Sequence, residues 1–205
     1  MAGMVKRLSH WFVVPVLRVR FPLLAPRKNL LFGRFFGCLL NCFCMEILDI
    51  VNDADEVIGQ AERQEIYDNG HCHRIVHVWV FNDIGELALQ KRSKHCGFRP
   101  LHWGVSAAGH VSAGEDYDTS ALRELEEEIG VVRHSIEKVG KEFWNGEKTN
   151  AHICIYRCVH NGDFSIDEKE VDHVRWVSVK DVKKMIDEGE PFTRQFLHVF
   201  DKFFS

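Results

Sequence analysis

Three glutamates at helical spacing restrict the fold of this 205-residue chain more than any other feature of its sequence. Glu124, Glu127 and Glu128 lie at positions i, i+3 and i+4, so a helix places them on one face. A second face of the same helix is apolar, and it consists of Leu122, Leu125 and Ile129. Residues 118–128 are therefore predicted to form an amphipathic helix that packs on a sheet and presents three carboxylates together.

The ends of this helix are also marked in the sequence. Gly130 is expected to end it in the left-handed conformation. Gly109 and Gly114 allow the backbone of the preceding loop to turn tightly. Three side chains are candidates to cap the first turn, and they are Asp118, Thr119 and Ser120. The predicted unit is therefore a loop, a helix and a second loop.

Three carboxylates on one turn repel each other unless a cation compensates their charge. Two unit charges about 6 Å apart at an effective dielectric of about 20 repel by roughly 3 kcal/mol. Oxygen ligands on a rigid helix favour a hard divalent ion over zinc, so we expect Mg²⁺, with Mn²⁺ as a substitute. Magnesium also binds phosphate oxygens, which predicts a small-molecule substrate with a diphosphate. A carboxylate not fully committed to the metal can then activate water.

Two further charged residues are expected to support the glutamates. Arg123 lies beside Glu127 on the predicted helix surface. Glu115 precedes the helix and is expected to fold back and pair with Arg123. Such a pair would hold the acidic side chains in position. The carbonyl group of Gly109 is a further candidate to approach the metal.

Residues 109–131 resemble the Nudix box. Its pattern is Gly, five residues, Glu, seven residues, Arg-Glu, an aliphatic residue, any residue, Glu-Glu, any residue, Gly and an aliphatic residue. With average residue usage, such a match arises by chance about once in ten million chains of this length. All nine constrained positions match: Gly109, Glu115, Arg123, Glu124, Leu125, Glu127, Glu128, Gly130 and Val131.

The resemblance implies an α+β fold, in which a mixed β-sheet is sandwiched between helices and the box forms a loop-helix-loop catalytic site. It implies that Glu124, Glu127 and Glu128 bind the metal and that Glu124 is also the candidate base. Arg123 and Glu115 become the supporting pair. The implied reaction is hydrolysis of a nucleoside diphosphate linked to another moiety, or of a related pyrophosphate. A carboxylate outside the box often completes such a site; Glu170 is preferred here over the other candidates, Glu168 and Asp172.

Outside the box, residues 45–200 resemble the hydrolase relatives of isopentenyl-diphosphate isomerase, in segments 55–59, 72–74, 90–92 and 192–193. The isomerase is therefore the alternative function. Its family uses a cysteine just before a Gly-His pair, whereas this chain has Ala108 there, which cannot transfer a proton. In the isomerases, the Arg-Glu and Glu-Glu parts of the box are also no longer intact. His73 and His110 match metal-binding positions of the isomerases, so a second metal site stays open.

A third alternative is a Nudix module that binds its ligand without catalysis. Such a module is expected to lose glutamates from the box, and none is missing here. The intact box favours a hydrolase over both alternatives.

From Met45 onward, strand-like and helix-like segments alternate. Residues 75–81 are a β-branched and aromatic run, and turn residues separate it from 87–90, which predicts a β-hairpin. Further strands are predicted at 46–51, 57–62, 153–159 and 173–177, and a further helix at 180–188. Phenylalanines at spacings of four, four and three predict a C-terminal helix docked on the core, and they are Phe192, Phe196, Phe200 and Phe203. Residues 45–205 are therefore predicted to form one α+β domain.

Residues 1–44 differ in charge from this body. Seven of the 26 Lys and Arg residues precede Met45, whereas all 30 Asp and Glu residues follow it, so the body has 19 cations, 30 acids and a net charge of −11. Three interpretations of residues 1–44 stay open: a start of translation at Met45, an organelle transit peptide, and a segment for surface association. Prolines interrupt its apolar clusters, and no run reaches the roughly 18–20 residues of a membrane span.

The acidic body argues against nucleic-acid binding, which needs a basic face. The seven cysteines are odd in number and form no paired CxxC sets, so a reducing compartment is expected. We therefore expect a cytoplasmic protein, or an organellar one if residues 1–44 are a transit peptide. A monomer and a homodimer both stay open.

Overall fold

The computed structural model describes residues 45–132, 134–146, 148 and 150–204. The N-terminal extension proposed from the sequence, 1–44, lies outside the described residues. Nine strands and four helices are present in the described part of the chain. In chain order they are β1 (Ile47–Val51), β2 (Val57–Glu62), α1 (Arg63–Asn69), β3 (His73–Phe81), β4 (Glu86–Arg92), β5 (Trp103–Gly104), β6 (Ala107–His110), α2 (Tyr117–Ile129), β7 (Ile136–Asn145), β8 (Asn150–Val159), β9 (Val171–Ser178), α3 (Val179–Asp187) and α4 (Arg194–Phe203).

The main sheet has seven strands and is mixed, with β3 at its centre. Strand β8 runs parallel to β3 over the whole length of β3, from His73 opposite Ala151 to Phe81 opposite Val159. The hairpin predicted between β3 and β4 is present, but the two strands pair only at Phe81 and Leu87. Beyond that point β6 pairs with β3 and β5 pairs with β4, whereas β9 pairs along the whole length of β4. The sheet therefore divides into two branches at the end farther from the hairpin turn.

Strand alternation gives β3 two apolar faces, and each face has its own helical cover. On one face, Trp79 stacks against Phe196 and Phe200 of α4, with ring centroids 5.0 and 6.2 Å apart. On the other face, Val76 and its neighbours pack with the buried residues of α2. The predicted arrangement of a mixed sheet between helices is confirmed, and so is the docked C-terminal helix. No helix in the described ranges is long and apolar enough to cross a membrane.

Helix α2 begins one residue earlier than its sequence predicts, and this changes its cap. The cap is Asp116, whose carboxylate accepts a hydrogen bond from the backbone N–H of Thr119 at 2.8 Å. The prediction of Asp118, Thr119 or Ser120 as the cap was therefore wrong, because all three lie within the first helical residues. Gly130 ends the helix at a φ of 70°, as predicted.

The apolar face of α2 is also narrower than its sequence predicts. Leu125 and Ile129 are fully buried, but Leu122 is 41% exposed. The buried Ala121 takes the place that Leu122 was predicted to fill. A small residue there lets the first turn of α2 lie close to the sheet.

Strands β1 and β2 form a separate two-stranded antiparallel sheet. Several polar contacts fasten it to the box and to β3. The buried carboxylate of Asp49 accepts a hydrogen bond from Gly114 N at 3.0 Å, and Asp55 pairs with Arg74 at 2.6 Å. Helix α1, which was not predicted, follows β2 and buries Ile66. This attachment places the start of β1 and the end of α1 beside β6.

Candidate active site

Arg123 and Glu115 form the predicted pair at the edge of the site. Arg123 Nε donates to Glu115 Oε1 at 3.1 Å, and Nη2 donates to Oε2 at 3.0 Å. Glu115 also accepts hydrogen bonds from Ser120 Oγ at 2.7 Å and from Ser112 N at 3.2 Å. Burial opposes ionisation of this carboxyl, but these contacts outweigh it and lower the pKa of Glu115. The loop before α2 is thereby fixed to the helix by a charged clamp.

The same guanidinium reaches two of the other box glutamates. Arg123 Nη1 donates to Glu124 Oε1 at 2.6 Å and to Glu127 Oε2 at 3.1 Å. Its Nη2 also donates to the backbone carbonyl of His110 at 3.0 Å. The hydrogen bond to Glu115 raises the pKa of Arg123 most, burial opposes this, and the charge and hydrogen bond of Glu124 and the hydrogen bond to Glu127 raise it further. A single positive group thus compensates three carboxylates.

Glu128 projects inward from α2 to the point where the sheet divides. Its Oε2 accepts hydrogen bonds from Gln90 Nε2 at 2.8 Å and from Ala108 N at 3.1 Å. Gln90 belongs to β4 and Ala108 to β6, so this carboxylate bridges the two branches. Burial, with a smaller contribution from the charge of Glu124, raises the pKa of Glu128 to about 8.

Glu124 lies one helical turn earlier, directly over β6. An added Cβ on Gly109 would overlap the Glu124 carboxylate, so only glycine fits beneath it. Burial raises the pKa of Glu124 to about 7, although the charge and hydrogen bond of Arg123 act in the opposite direction. The structure therefore shows why Gly109 is needed: it admits the carboxylate. Coordination of a metal by its carbonyl stays a prediction.

The three box glutamates differ in exposure to solvent, and their carboxylates do not meet at one point. The side chain of Glu127 is 60% exposed, whereas those of Glu124 and Glu128 are largely buried. Within the described residues, no group of three His, Cys, Asp or Glu side chains is arranged to hold a metal ion. Arg123 lies between Glu124 and Glu127, and Glu128 is bound to protein donors.

The donor chemistry nevertheless fits a divalent cation. Glu124 and Glu128 offer oxygen ligands, and burial raises both pKa values, with smaller contributions from the charges of Glu127 and Glu46 at Glu124 and from the charge of Glu124 at Glu128. A divalent cation favours the ionised form of such carboxylates and compensates their repulsion. Arg123 supplies part of that compensation through its contacts with Glu124 and Glu127.

Glu170, the preferred additional ligand, lies on the loop before β9. Its exposed carboxylate accepts a hydrogen bond from Cys96 Sγ at 3.5 Å. The same loop contacts α2, because Asp167 N donates to the carbonyl of Glu128 at 3.0 Å. The loop therefore touches the helix that carries the box, and a metal-binding role for Glu170 stays a prediction.

His73 and His110 are brought together, with ring centroids 5.2 Å apart. His73 is buried, and burial together with the charge of His110 lowers its pKa to about 4. His110 Nδ1 lies 3.1 Å from Glu46 Oε1, and His110 Nε2 lies 3.1 Å from the hydroxyl of Tyr67.

Sequence reasoning missed Glu46, Tyr67 and Gln90 as site residues, because each is distant in sequence from the box and has no fixed spacing relative to it.

Comparison with known proteins adds independent support. A family model described as the NUDIX domain matches residues 71–200. The uncharacterized Nudix hydrolase YfcD of Escherichia coli (strain K12) is 30% identical over 157 residues, which cover 77% of this chain and 87% of YfcD. An uncharacterized Nudix hydrolase of Nostoc sp. is 31% identical over 166 residues, which cover 78% of this chain and 97% of the relative.

Two solved structures share the fold. DR0079 from Deinococcus radiodurans has a TM-score of 0.69 and 23% identity, and the match covers 78% of this chain and all of DR0079. The NUDIX domain of Shewanella oneidensis NrtR, solved in complex with ADP ribose, has a TM-score of 0.52 and 21% identity, and the match covers 63% of this chain and 84% of that domain.

The fold and the box helix define a hydrolase that acts on pyrophosphate bonds, a class that generally uses a divalent metal ion. This chain belongs to the Nudix family.

Proposed function

We propose that this chain is a Mg²⁺-dependent hydrolase that cleaves the diphosphate linkage of a nucleoside diphosphate joined to another moiety, or of a related pyrophosphate. Mn²⁺ is the proposed substitute. The observation that carries this proposal is the burial of Glu124 and Glu128 together at β6, under the clamp of Arg123 and Glu115. Two buried carboxylates of raised pKa suit a site that exchanges protons or binds a cation.

Each site residue has a proposed role. Glu124, Glu127 and Glu128, with the Gly109 carbonyl and Glu170, would hold the metal, which when bound compensates charge on the phosphate oxygens. Glu124 acts as the base that takes a proton from the attacking water, since its carboxylate is oriented by Arg123 above β6. Arg123 orients Glu124, and Glu115 orients Arg123.

The substrate class is supported by chemistry and by one relative. An acidic body with a net charge of −11 disfavours a polyanionic nucleic acid but accepts a small diphosphate held through a cation. The NrtR domain that shares this fold binds ADP ribose, which is a nucleoside diphosphate linked to a sugar. We propose the same general class for this chain.

A substrate panel with Mg²⁺ tests the proposal. It contains nucleotide sugars, dinucleotides, nucleoside diphosphates and triphosphates, and isoprenoid diphosphates, with phosphate and nucleotide release as the readout. Release that depends on Mg²⁺ supports the hydrolase. Interconversion of isoprenoid diphosphates without phosphate release would establish the isomerase instead, and binding without turnover would establish a silent module.

The remaining proposals concern the chain as a whole. We propose that residues 45–205 form the catalytic domain, that residues 1–44 are an extension to it, and that the protein acts in the cytoplasm. Mass spectrometry of the native N-terminus tests the second point, because a transit peptide would be removed and a start at Met45 would leave no upstream peptide. Sedimentation of the purified chain decides between a monomer and a homodimer.

A further inference from the structure

Glu46 lies outside every motif of the chain and outside the range matched by the family model, which begins at residue 71. It immediately precedes β1, and its side chain reaches β6, where Oε1 lies 3.1 Å from His110 Nδ1. Its other carboxylate oxygen accepts a hydrogen bond from Arg63 Nη1 at 3.1 Å, and its backbone carbonyl accepts one from Arg63 N at 2.9 Å. The carboxylate is therefore held from two sides against the box strand.

The direction of the hydrogen bond between Glu46 and His110 follows from the chemistry of the two groups. An ionised carboxylate only accepts, so His110 Nδ1 must carry a proton and donate it to Glu46. The hydroxyl of Tyr67, which can donate or accept, lies 3.1 Å from the other ring nitrogen, Nε2. Burial alone would raise the pKa of Glu46, but His110 and Arg63 outweigh it and lower the pKa to about 2. Both ring nitrogens of His110 are thereby committed.

His110 in turn connects this group to the box. Its backbone carbonyl accepts hydrogen bonds from Arg123 Nη2 at 3.0 Å and from Ser120 Oγ at 3.3 Å. The preceding residue, Gly109, supports the Glu124 carboxylate. A shift of the His110 backbone would therefore move two groups that orient Glu124.

We propose that Glu46, acting through His110, is a positioning residue of the hydrolase site. It holds His110 in the Nδ1–H tautomer and thereby fixes the part of β6 that supports Glu124 and binds Arg123. The consequence for turnover rests on the proposed function, whereas the tautomer of His110 is independent of it.

The test compares Glu46→Ala with Glu46→Gln in the full chain. The glutamine amide oxygen still accepts a hydrogen bond from His110 Nδ1, whereas alanine leaves that donor without its acceptor. The control is Glu62→Ala, because Glu62 is exposed and lies opposite Ile47 in the same small sheet. Tyr67→Phe removes the contact at Nε2 and provides a second, milder perturbation of the ring.

We expect Glu46→Ala to lower kcat by about tenfold with KM changed less than about twofold, as for other groups that orient a catalytic residue. Glu46→Gln and Glu62→Ala should stay within about threefold of the unmodified chain. Nitrogen-15 NMR of the imidazole should show the Nδ1–H tautomer of His110 in the unmodified chain and its partial loss in Glu46→Ala. Thermal unfolding verifies that each variant is folded.

Two results would overturn this role of Glu46. One is an unchanged His110 tautomer in Glu46→Ala, which would disprove the link between the two side chains. The other is a raised KM at unchanged kcat, which would make Glu46 a substrate-binding group. If no compound of the panel is hydrolysed by any form of the chain, the proposed function fails, and the tautomer measurement still decides the Glu46–His110 contact.

Discussion

Glu127 and Glu128 are consecutive residues of the same motif, yet their surroundings differ sharply. Glu127 is largely exposed and contacts the tip of Arg123 at 3.1 Å. Glu128 is buried and bridges β4 and β6 through Gln90 and the Ala108 amide. A step of 100° along the helix turns one carboxylate toward solvent and the next into the sheet. Two residues that look equivalent in the sequence therefore lie in different electrostatic environments.

The difference separates the site into an outer and an inner part. Exposed ion pairs such as Arg123–Glu127 contribute little free energy, because water screens them. Glu124 and Glu128 are shielded from water, and their burial raises the pKa of both. We infer that the inner pair governs proton binding at the site, whereas the outer carboxylate, which is also a proposed metal ligand, adjusts the position of Arg123.

Among these variants, removal of the charge at Glu124 should lower kcat the most. Glu124→Gln keeps the shape of the side chain but removes the proposed base, and we expect kcat to fall at least about a hundredfold with little change in folding. Glu126→Gln is the matched control, because Glu126 lies on the exposed side of the same helix. Steady-state kinetics on the panel's best substrate measures both. Equal activity in Glu124→Gln and Glu126→Gln would remove Glu124 from the mechanism.

A steric change beneath Glu124 should have the next largest effect. Gly109→Ala places a methyl group where the carboxylate lies, so the side chain must move, and we expect kcat to fall roughly tenfold to a hundredfold. Gly104→Ala is the control, since its Cβ would meet nothing within 4 Å. The same kinetics, with thermal unfolding as a check of folding, compares them. Full activity in Gly109→Ala would show that the position of Glu124 over β6 is not needed.

Replacement of the clamp should have a smaller effect. Arg123→Lys keeps one positive charge but cannot donate to Glu115, Glu124 and Glu127 together, and we expect kcat to fall about fivefold. Arg157→Lys, at an exposed position of β8, is the control. A loss as large as that of Glu124→Gln would mean that Arg123 takes part in the chemistry itself and does more than orient Glu124.

Local spacing made the box predictable. The separations between Gly109, Glu115, Arg123 and the three glutamates are short, so helix geometry and one loop determine their neighbours. The predicted clamp of Arg123 and Glu115 is present for that reason. The different burial of the three glutamates was not predictable, because burial depends on the sheet below the helix, and the spacing within a helix contains no information about that sheet.

Long-range contacts were not predictable in this way. Glu46 meets His110 across 64 residues, and Gln90 meets Glu128 across 38. Part of the main sheet was predictable from β-branched runs, but β5, β6 and β7 were not predicted. Strand β6 has only four residues, with two alanines and a glycine, so it gives little strand signal. Strand β6 supports Glu124, so the sequence pattern predicted the acidic helix but not the strand beneath its catalytic glutamate.

The last prediction concerns stability and not turnover: the pH dependence of unfolding compares the inner and outer carboxylates directly. In the metal-free chain, burial raises the folded-state pKa of Glu128 to about 8, above its ordinary value of 4.5. Between these two values the folded state binds more protons than the unfolded state. The free energy of unfolding should therefore fall as pH rises from 4.5 to 8, by up to about 1.4 kcal/mol per pH unit for this one group.

Glu128→Gln removes the titrating group, so the unmodified chain should lose stability relative to this variant as the pH rises through that window. Glu127→Gln should track the unmodified chain at every pH, since its carboxylate is exposed in the folded state as well. Urea unfolding at pH 5, 6, 7 and 8, with a chelator present, measures the three chains. Parallel curves for both variants would show that Glu127 and Glu128 share one environment. Addition of Mg²⁺ should then restore stability most at pH 8, where the ionised inner carboxylates are available to bind it.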